Sequence, residues 1–306
     1  MGNPVISENF IRLLDTRLRE VSENAWAELP SQKGELYRDV PSDSAWEEFF
    51  GVSGVADIPA FNGKLEYLSQ SPGYLTRIEP KEYAAGLAFE RKFLDDKKYA
   101  VMSDQVESLT IAAQRTKAKI EIDPFAYAFS SAFTFMYSEE GVSLCSDSHT
   151  NKTGASTATG FDNASTGALS KTSLAAMRLK MLRYKNDIGE RIITDPDTIV
   201  CGESLADTAL EIVGSEKDPT SANNTINPQY KRFKVLILRR LDDYDLNNWF
   251  LVDSRQMKKD LMWIDRIAKE TKMTVDFETF MLKWSIYFRC GNGFKGWRWV
   301  EGANVS

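Results

Sequence analysis

Histidine is almost missing from this sequence: His149 is the single one among 306 residues. Any chemistry that needs two imidazoles is excluded, and any that needs one rests on that residue. Cysteine is scarce too. Cys145, Cys201 and Cys290 are scattered and odd in number, which fits a reducing compartment and argues against a disulfide frame. With one histidine and no paired cysteines, no zinc-ligand spacing exists. No apolar run is long enough to span a bilayer. The opening "MGNPVISENF" lacks the basic-then-apolar order of a secretory signal, and Ile6 stands where a myristoylation signal needs Ser or Thr. The expectation is a protein made and kept in a cytosol, where the sequons at Asn151, Asn163 and Asn223 carry no meaning. A net charge of -6 argues against a grip on nucleic acid by the whole surface.

What is present is enough apolar material, 42% of the residues, for one large domain or two ordinary ones. Phe10, Leu14, Leu18, Val21 and Ala25 recur at helical spacing and predict a helix over 7–28, with Ser7 as its cap. Residues 29–50 read as an irregular arm, broken by two prolines and a glycine. Over 51–73 the turn-rich, apolar-dotted sequence predicts an extended hairpin with Asn62-Gly63 near its turn. Two strand-like pieces follow, and Tyr83, Ala85, Leu87 and Phe89 share a face of the second. From about 95 to 138 the pattern is helical, with Met102, Val106, Leu109, Ala113, Thr116 and Ile120 on one stripe. Pro124 should kink or restart that helix, with Asp123 as the new cap. The aromatic run "PFAYAFSSAFTFMY" reads as core. A polar low-complexity stretch, 146–168, cannot order itself unaided. After it come a helix starting at Ser170, an alternating α/β stretch with strands "TIVCG", "KVLILRRL" and "WFLVD", and a β tail. In that tail Leu282, Trp284, Ile286, Phe288 and Cys290 face one way and Lys283, Ser285, Tyr287 and Arg289 the other.

Three motifs invite a chemical reading. Ser146, Asp147, Ser148 and His149 stand side by side in "LCSDSHTNKTGASTATG". A triad needs nucleophile, base and orienter to converge from separate elements, and no G-x-S-x-G elbow is present. The expected role of His149 is therefore local hydrogen bonding in a loop, with a hydrolase using Ser146 or Ser148 as the alternative. Gly291-Asn-Gly-Phe-Lys-Gly296 is a literal G-x-G-x-x-G, but it leads into another strand where a dinucleotide site needs a helix. A hairpin turn is expected there. Arg178, Lys180, Arg183 and Lys185 in "RLKMLRYK" read as a solvated helix face, with weak nucleic-acid contact as the alternative. No cofactor, metal or catalytic residue is expected.

In order along the chain, "NFIRLLDTRLREV", "GYLTRIEPKEYAAGLAFERKFLDD", "GVSLCSDSHT", "TGALSKTSLAAMRLKMLRYKNDIGERIITDPDTIVCGESLADTALEIVGS", "SANNTINPQYKRFKVLILRRL", "WFLVD" and "VDFETFMLKWSIYFRCGNGFKGWRWVEGAN" resemble a major capsid protein of tailed phages, in particular the phage Mu major head subunit group. The resemblance implies an α+β, Hong Kong 97-like fold. It implies an N-terminal arm (1–47), an extended loop (48–80), a peripheral domain with a spine helix (81–168 and 272–306) and an axial domain (169–271). Pro124 departs from an unbroken spine helix, and no long helical pro-segment precedes the arm.

Such a protein is not an enzyme. It would assemble with itself as pentamers and hexamers into an icosahedral head around double-stranded DNA. Its place would be the virion, after assembly in the bacterial cytoplasm. Scaffold, portal and decoration proteins are the further partners implied, with weak contacts to packaged DNA and none to membrane. Phe10, Leu14, Trp46, Phe49, Phe50, Phe61, Lys64 and Tyr67 are the candidate intersubunit contacts. Lys64 and Asn292 match by position the Lys–Asn isopeptide bond of some relatives. The alternatives are an encapsulin-like compartment with an enzyme cargo, the hydrolase centred on His149, and a monomeric DNA-binding protein.

Overall fold

A computed structural model of the chain describes residues 7–28, 31–217 and 225–305, with side chains of the first helix from Leu13 on. In chain order it begins with α1 (Ser7–Glu28), α2 (Lys33–Leu36), β1 (Arg38–Asp39), β2 (Glu47–Val52), β3 (Pro72–Ile78) and β4 (Lys81–Phe89). Next come α3 (Arg91–Asp95), α4 (Tyr99–Glu121), α5 (Asp123–Ala126), β5 (Tyr137–Ser138), β6 (Ala164–Ser165) and α6 (Lys171–Met181). The last third holds β7 (Thr198–Cys201), α7 (Ala206–Gly214), β8 (Lys234–Ile237), β9 (Trp249–Val252), α8 (Ser254–Asp260), β10 (Leu261–Val275), β11 (Leu282–Phe294) and β12 (Val300–Ala303). The chain divides into two compact units.

The first unit takes the residues up to Gln32, Pro80–Ile120 and Asp265–Cys290. Its helices follow the apolar spacing: Leu14, Leu18 and Ala25 of α1 are buried, as are Met102, Val106, Ala113 and Ile120 of α4. The side chain of Phe10 lies outside the described ones. Several polar groups on these helices are paired, while Asp15 Oδ1 and Ser103 Oγ are buried without a partner among the described residues. The Thr110 hydroxyl donates to the Val106 carbonyl at 2.8 Å and lies 3.1 Å from Ser22 Oγ, and Gln114 Nε2 donates to the Trp26 carbonyl at 2.6 Å. Such pairing holds α1 in register on α4. In the sheet β11 lies between β10 and β4, antiparallel to β4 from Leu282↔Phe89 to Cys290↔Lys81. Leu282, Trp284, Ile286, Phe288 and Cys290 are buried on one face as their alternation predicts. On β4 Tyr83 stacks on Phe288 at 5.2 Å, but Ala85 is exposed.

The second unit takes Lys33–Glu79, Glu121–Ile264 and the residues from Gly291 on. Its centre is a five-stranded sheet in the order β6-β12-β9-β7-β8. Every residue of β7, β9 and β12 is buried; β9 is an unbroken apolar run, while β7 and β12 also bury Thr198 and Glu301. Helix α6 packs on β9 and β12, and α7 on β7 and β8. Ser170 caps α6 in a reciprocal box with Ser173, and Leu174, Met177 and Met181 point inward. Phe125 meets Phe250 at 5.2 Å and Trp299 at 5.9 Å, edge to face. Each such buried ring contributes on the order of 1.5–3 kcal/mol by burial alone.

Four expectations change. The stretch 29–50 is less irregular than its breakers suggest, since it holds α2, β1 and the start of β2. The restart at Pro124 is present, but Ile122, not Asp123, is the cap, and helix ends at Ala126 rather than running on to 138. Beyond it the rings are used for packing in several directions: Phe133 and Phe135 gather on Phe294 at 5.9 and 6.4 Å. The third change concerns Gly291-Asn-Gly-Phe, which is strand, not turn, and β12 pairs with β9 and β6 instead of β11. Gly293 is there for contact: a Cβ on it would sit 2.7 Å from Ile78 Cδ1 and 3.0 Å from Met136 Sδ. Finally, the predicted hairpin over 51–73 is a stem only. β2 pairs antiparallel with β3 from Glu47↔Ile78 to Val52↔Pro72, with a register shift after Phe50, and 53–71 forms no strand.

Candidate functional site

The loop carried by that stem is the first candidate. It is closed at its neck by Ser53, whose N–H donates to the Ser71 carbonyl at 2.9 Å and whose Oγ accepts from the Ser71 N–H at 2.8 Å. Beyond the neck the chain turns at Gly63, where φ is +97°, a value that glycine adopts without strain. Phe61 is 77% exposed and Tyr67 94%, and Lys64 is exposed between them. Ile58 and Leu65 are exposed as well. On the stem Trp46 and Phe50 are exposed and Phe49 is half-buried. Arg77 lies over the rings of Trp46 and Tyr137, 5.6 and 5.7 Å from their centroids. The structure thus gathers Trp46, Phe49, Phe50, Phe61, Lys64 and Tyr67 on one stem and loop. Leu14 is buried in the first unit. Asn292 is fully buried, its Nδ2 donating to Tyr37 Oη at 3.2 Å, and is not presented to solvent.

His149, the second candidate, sits in a built polar pocket rather than a loose loop. Its Nδ1 lies 3.1 Å from Glu140 Oε1 and its Nε2 lies 3.0 Å from Asn163 Oδ1. The ring stacks on Trp297 at 4.2 Å with 8° between planes. Asn163 is oriented by its own amide, which donates to the carbonyls of Leu144 at 2.8 Å and Val300 at 3.2 Å, so Oδ1 is turned toward Ser146 N–H and the imidazole. Both ring nitrogens face side-chain oxygens. Neither faces a serine. Ser146 Oγ and Ser148 Oγ lie 2.9 Å from each other. The nucleophile–base pair of a hydrolase is not formed here. The expectation of local hydrogen bonding holds, but the floppiness expected of 146–168 does not, because Asn163 and Phe161 are fully buried within it.

A third cluster was not visible in the sequence. Glu301 is fully buried on β12. It accepts from Lys180 Nζ at 2.8 Å, Ser165 Oγ at 2.6 Å and the Tyr184 hydroxyl. Burial raises its carboxyl above the usual range, with the Lys180 charge opposing. Burial and then the Glu301 charge push the Tyr184 hydroxyl and the Cys145 thiol well up. The only signal was a lone acid inside the apolar "WRWVEGA". Beside this cluster Lys180, Arg183, Lys185 and Arg191, with Asp162, line a cleft of about 750 Å³. Among the described residues no group of three or more His, Cys, Asp or Glu could hold a metal, and no helix is long and apolar enough to cross a membrane.

A family model described as "Phage capsid protein" matches residues 74–301. No curated protein matches the chain. Among solved structures, the mature capsid of bacteriophage PhiM1 is similar at 11% identity, covering 91% of this chain and 88% of that one, with a TM-score of 0.57. The capsid of a native GTA particle is similar at 11% identity over 91% of both chains, with a TM-score of 0.52. For the capsid of Myoviridae phage XM1 the figures are 11% identity, 90% of both chains and 0.51. At these identities the likeness is one of fold.

Proposed function

Because the chain belongs to the phage capsid protein family, we propose that it is the major head subunit of a tailed bacteriophage, assembling with copies of itself into the icosahedral shell around the genome. It is a structural protein of Hong Kong 97-like fold, and its place is the virion. The observation that carries the reading is the family match over residues 74–301. The loop supplies the physical counterpart: aromatic and aliphatic side chains carried by a paired stem, Ile58, Phe61, Leu65 and Tyr67 among them, are left exposed among the described residues. Surface of that kind marks a protein–protein contact.

In finer detail, residues 1–47 act as the arm, 48–80 as the extended loop, 81–168 with 272–306 as the peripheral domain, and 169–271 as the axial domain. The subunits gather as pentamers and hexamers, in the host cytoplasm, with scaffold, portal and decoration proteins as further partners. Trp46, Phe49, Phe50, Phe61, Lys64 and Tyr67 carry contacts between subunits. The narrower likeness to the phage Mu group rests on the sequence strings alone. The basic cleft lined by Arg183, Lys185 and Arg191 is where double-stranded DNA touches, weakly, because phosphates held tightly would impede packaging. No observation favours an enzyme-cargo compartment, a hydrolase or a monomeric DNA binder over this reading.

The test is electron microscopy and size-exclusion chromatography on the chain expressed together with the products of its neighbouring genes. Rings or closed shells are expected, with nuclease-protected DNA inside particles taken from infected cells. A chain that stays monomeric in that company overturns the reading.

A further inference from the structure

The hairpin that joins β10 to β11 ends in "DFETFM", residues 276–281, and its tip is built to hold its shape. Asp276 Oδ1 accepts from the Glu278 and Thr279 N–H groups at 2.9 and 3.3 Å, and its other oxygen pairs with Lys283. Phe280 adopts a positive φ of 54°, rare for a bulky residue, and Arg91 lies over its ring at 5.8 Å. The result is that Phe277 is 90% exposed on a fixed turn, beside the exposed Glu278. A rigid, acidic finger with an uncovered aromatic ring is costly to leave in water.

The same unit carries a socket of the opposite character. Leu13, Leu14 and Tyr99 form the apolar wall of a cavity of about 330 Å³, and Arg17 and Lys97 are its basic members. Leu13 is 67% exposed, and Lys97 also holds a positive φ, 54°. Neither Arg17 nor Lys97 has an ion-pair partner among the described residues, and neither does Glu278. Finger and socket lie toward one end of the unit, since α3 begins at Arg91, against Phe280, and the chain from it leads through Lys97 to Tyr99.

We infer that the finger of one subunit docks in the socket of a second copy: Phe277 fills the cavity against Leu13 and Tyr99, and Glu278 meets Arg17 and Lys97. The occupant is a second copy because charge and apolar surface complement each other within one sequence. Such a contact is head-to-tail and closes a ring where the rotation allows it. The inference rests on the shell-forming reading above.

The test uses disulfide trapping. All three native cysteines are buried and leave the background low. Shells are co-assembled from an epitope-tagged Leu13→Cys chain and an untagged Phe277→Cys chain, then treated with a thiol oxidant. A mixed tagged–untagged dimer is expected, with none from shells of either variant alone. Shells that form but yield no mixed dimer overturn the docking, and so do dimers from Phe277→Cys alone, which would mean that tips meet tips. If the unsubstituted chain makes no shells, it is the head-subunit reading that has failed. As a second measurement, Phe277→Asp should leave the melting temperature unchanged while lowering shell yield at least about tenfold, the loss of one buried aromatic anchor. Undiminished yield overturns the inference.

Discussion

His149 and Glu301 are both buried polar residues, and what each does is set by the partners that enclose it. His149→Ala removes a ring stacked on Trp297 and takes one partner each from Glu140 Oε1 and Asn163 Oδ1, which keep the N–H groups of Thr150 and Ser146. The expected cost is about 2–4 kcal/mol, seen as a lower unfolding midpoint, with fewer shells as a consequence of less folded protein. An unchanged midpoint would show that the pocket does not depend on the ring. Glu301 behaves differently with pH. Its folded carboxyl titrates above the ordinary value of 4.5 because burial disfavours the charge. The folded state then holds the proton that the unfolded state gives up, so stability falls as pH rises from the unfolded value through the folded one. Glu301→Gln has no such slope. The advantage of the native chain over this variant should shrink as pH rises from 4 toward neutrality, measured by denaturant midpoints across that range. A constant difference would show that Lys180 fully compensates the buried charge. Lys180→Met should cost about 3–5 kcal/mol at neutral pH, because it leaves the carboxylate in the core without a countercharge, held only by the Ser165 and Tyr184 hydroxyls.

Among the elements, the loop over 53–71 is separable from the fold by this logic. Phe61→Asp with Tyr67→Asp changes side chains that touch solvent on both counts, so stability should stay within about 0.5 kcal/mol while assembly is lost. Shells from this double variant would show that the loop aromatics are not anchors. Gly293→Ala is the opposite case: the added methyl meets Ile78 and Met136 inside the core, and the unfolding midpoint should register about 1–3 kcal/mol of overpacking. These two elements also mark how far the sequence could be read. Helices α1 and α4 and the alternating half of β11 were legible because burial on one face writes a period into the chain. A hairpin was legible, but its paired stem lies mostly outside the 51–73 expected for it, and the open loop was not legible, since apolar residues signal burial without saying in which molecule. The Gly291–Phe294 stretch was misread as a turn because Gly293 answers to Ile78 and Met136, which only the fold brings near. His149 was misread as loose for the same reason: Glu140 and Trp297 come to it from outside the 146–168 stretch.

For the whole molecule the question is what drives a subunit of net charge -6 to gather with copies of itself. Like charges oppose association, and exposed ones are screened within about 10 Å at 0.1 M salt. Apolar contact is not screened, and assemblies held by it bury on the order of 2,000–5,000 Å² per interface. Ile58, Phe61, Leu65, Tyr67 and Phe277 are exposed apolar side chains, and on the reading proposed above they supply such contacts. On the reading proposed above, DNA touches the cleft of Arg183, Lys185 and Arg191, and a few phosphate contacts lose orders of magnitude in affinity between about 50 and 200 mM salt. Shell formation and DNA contact should therefore separate under salt. Rings or shells assembled without nucleic acid should persist at about 1 M sodium chloride, while duplex DNA binding by the same particles vanishes by about 0.2 M. Sedimentation and filter binding across one salt series measure both. Particles that fall apart as DNA is released would mean that the genome, not the apolar surface, holds the subunits together.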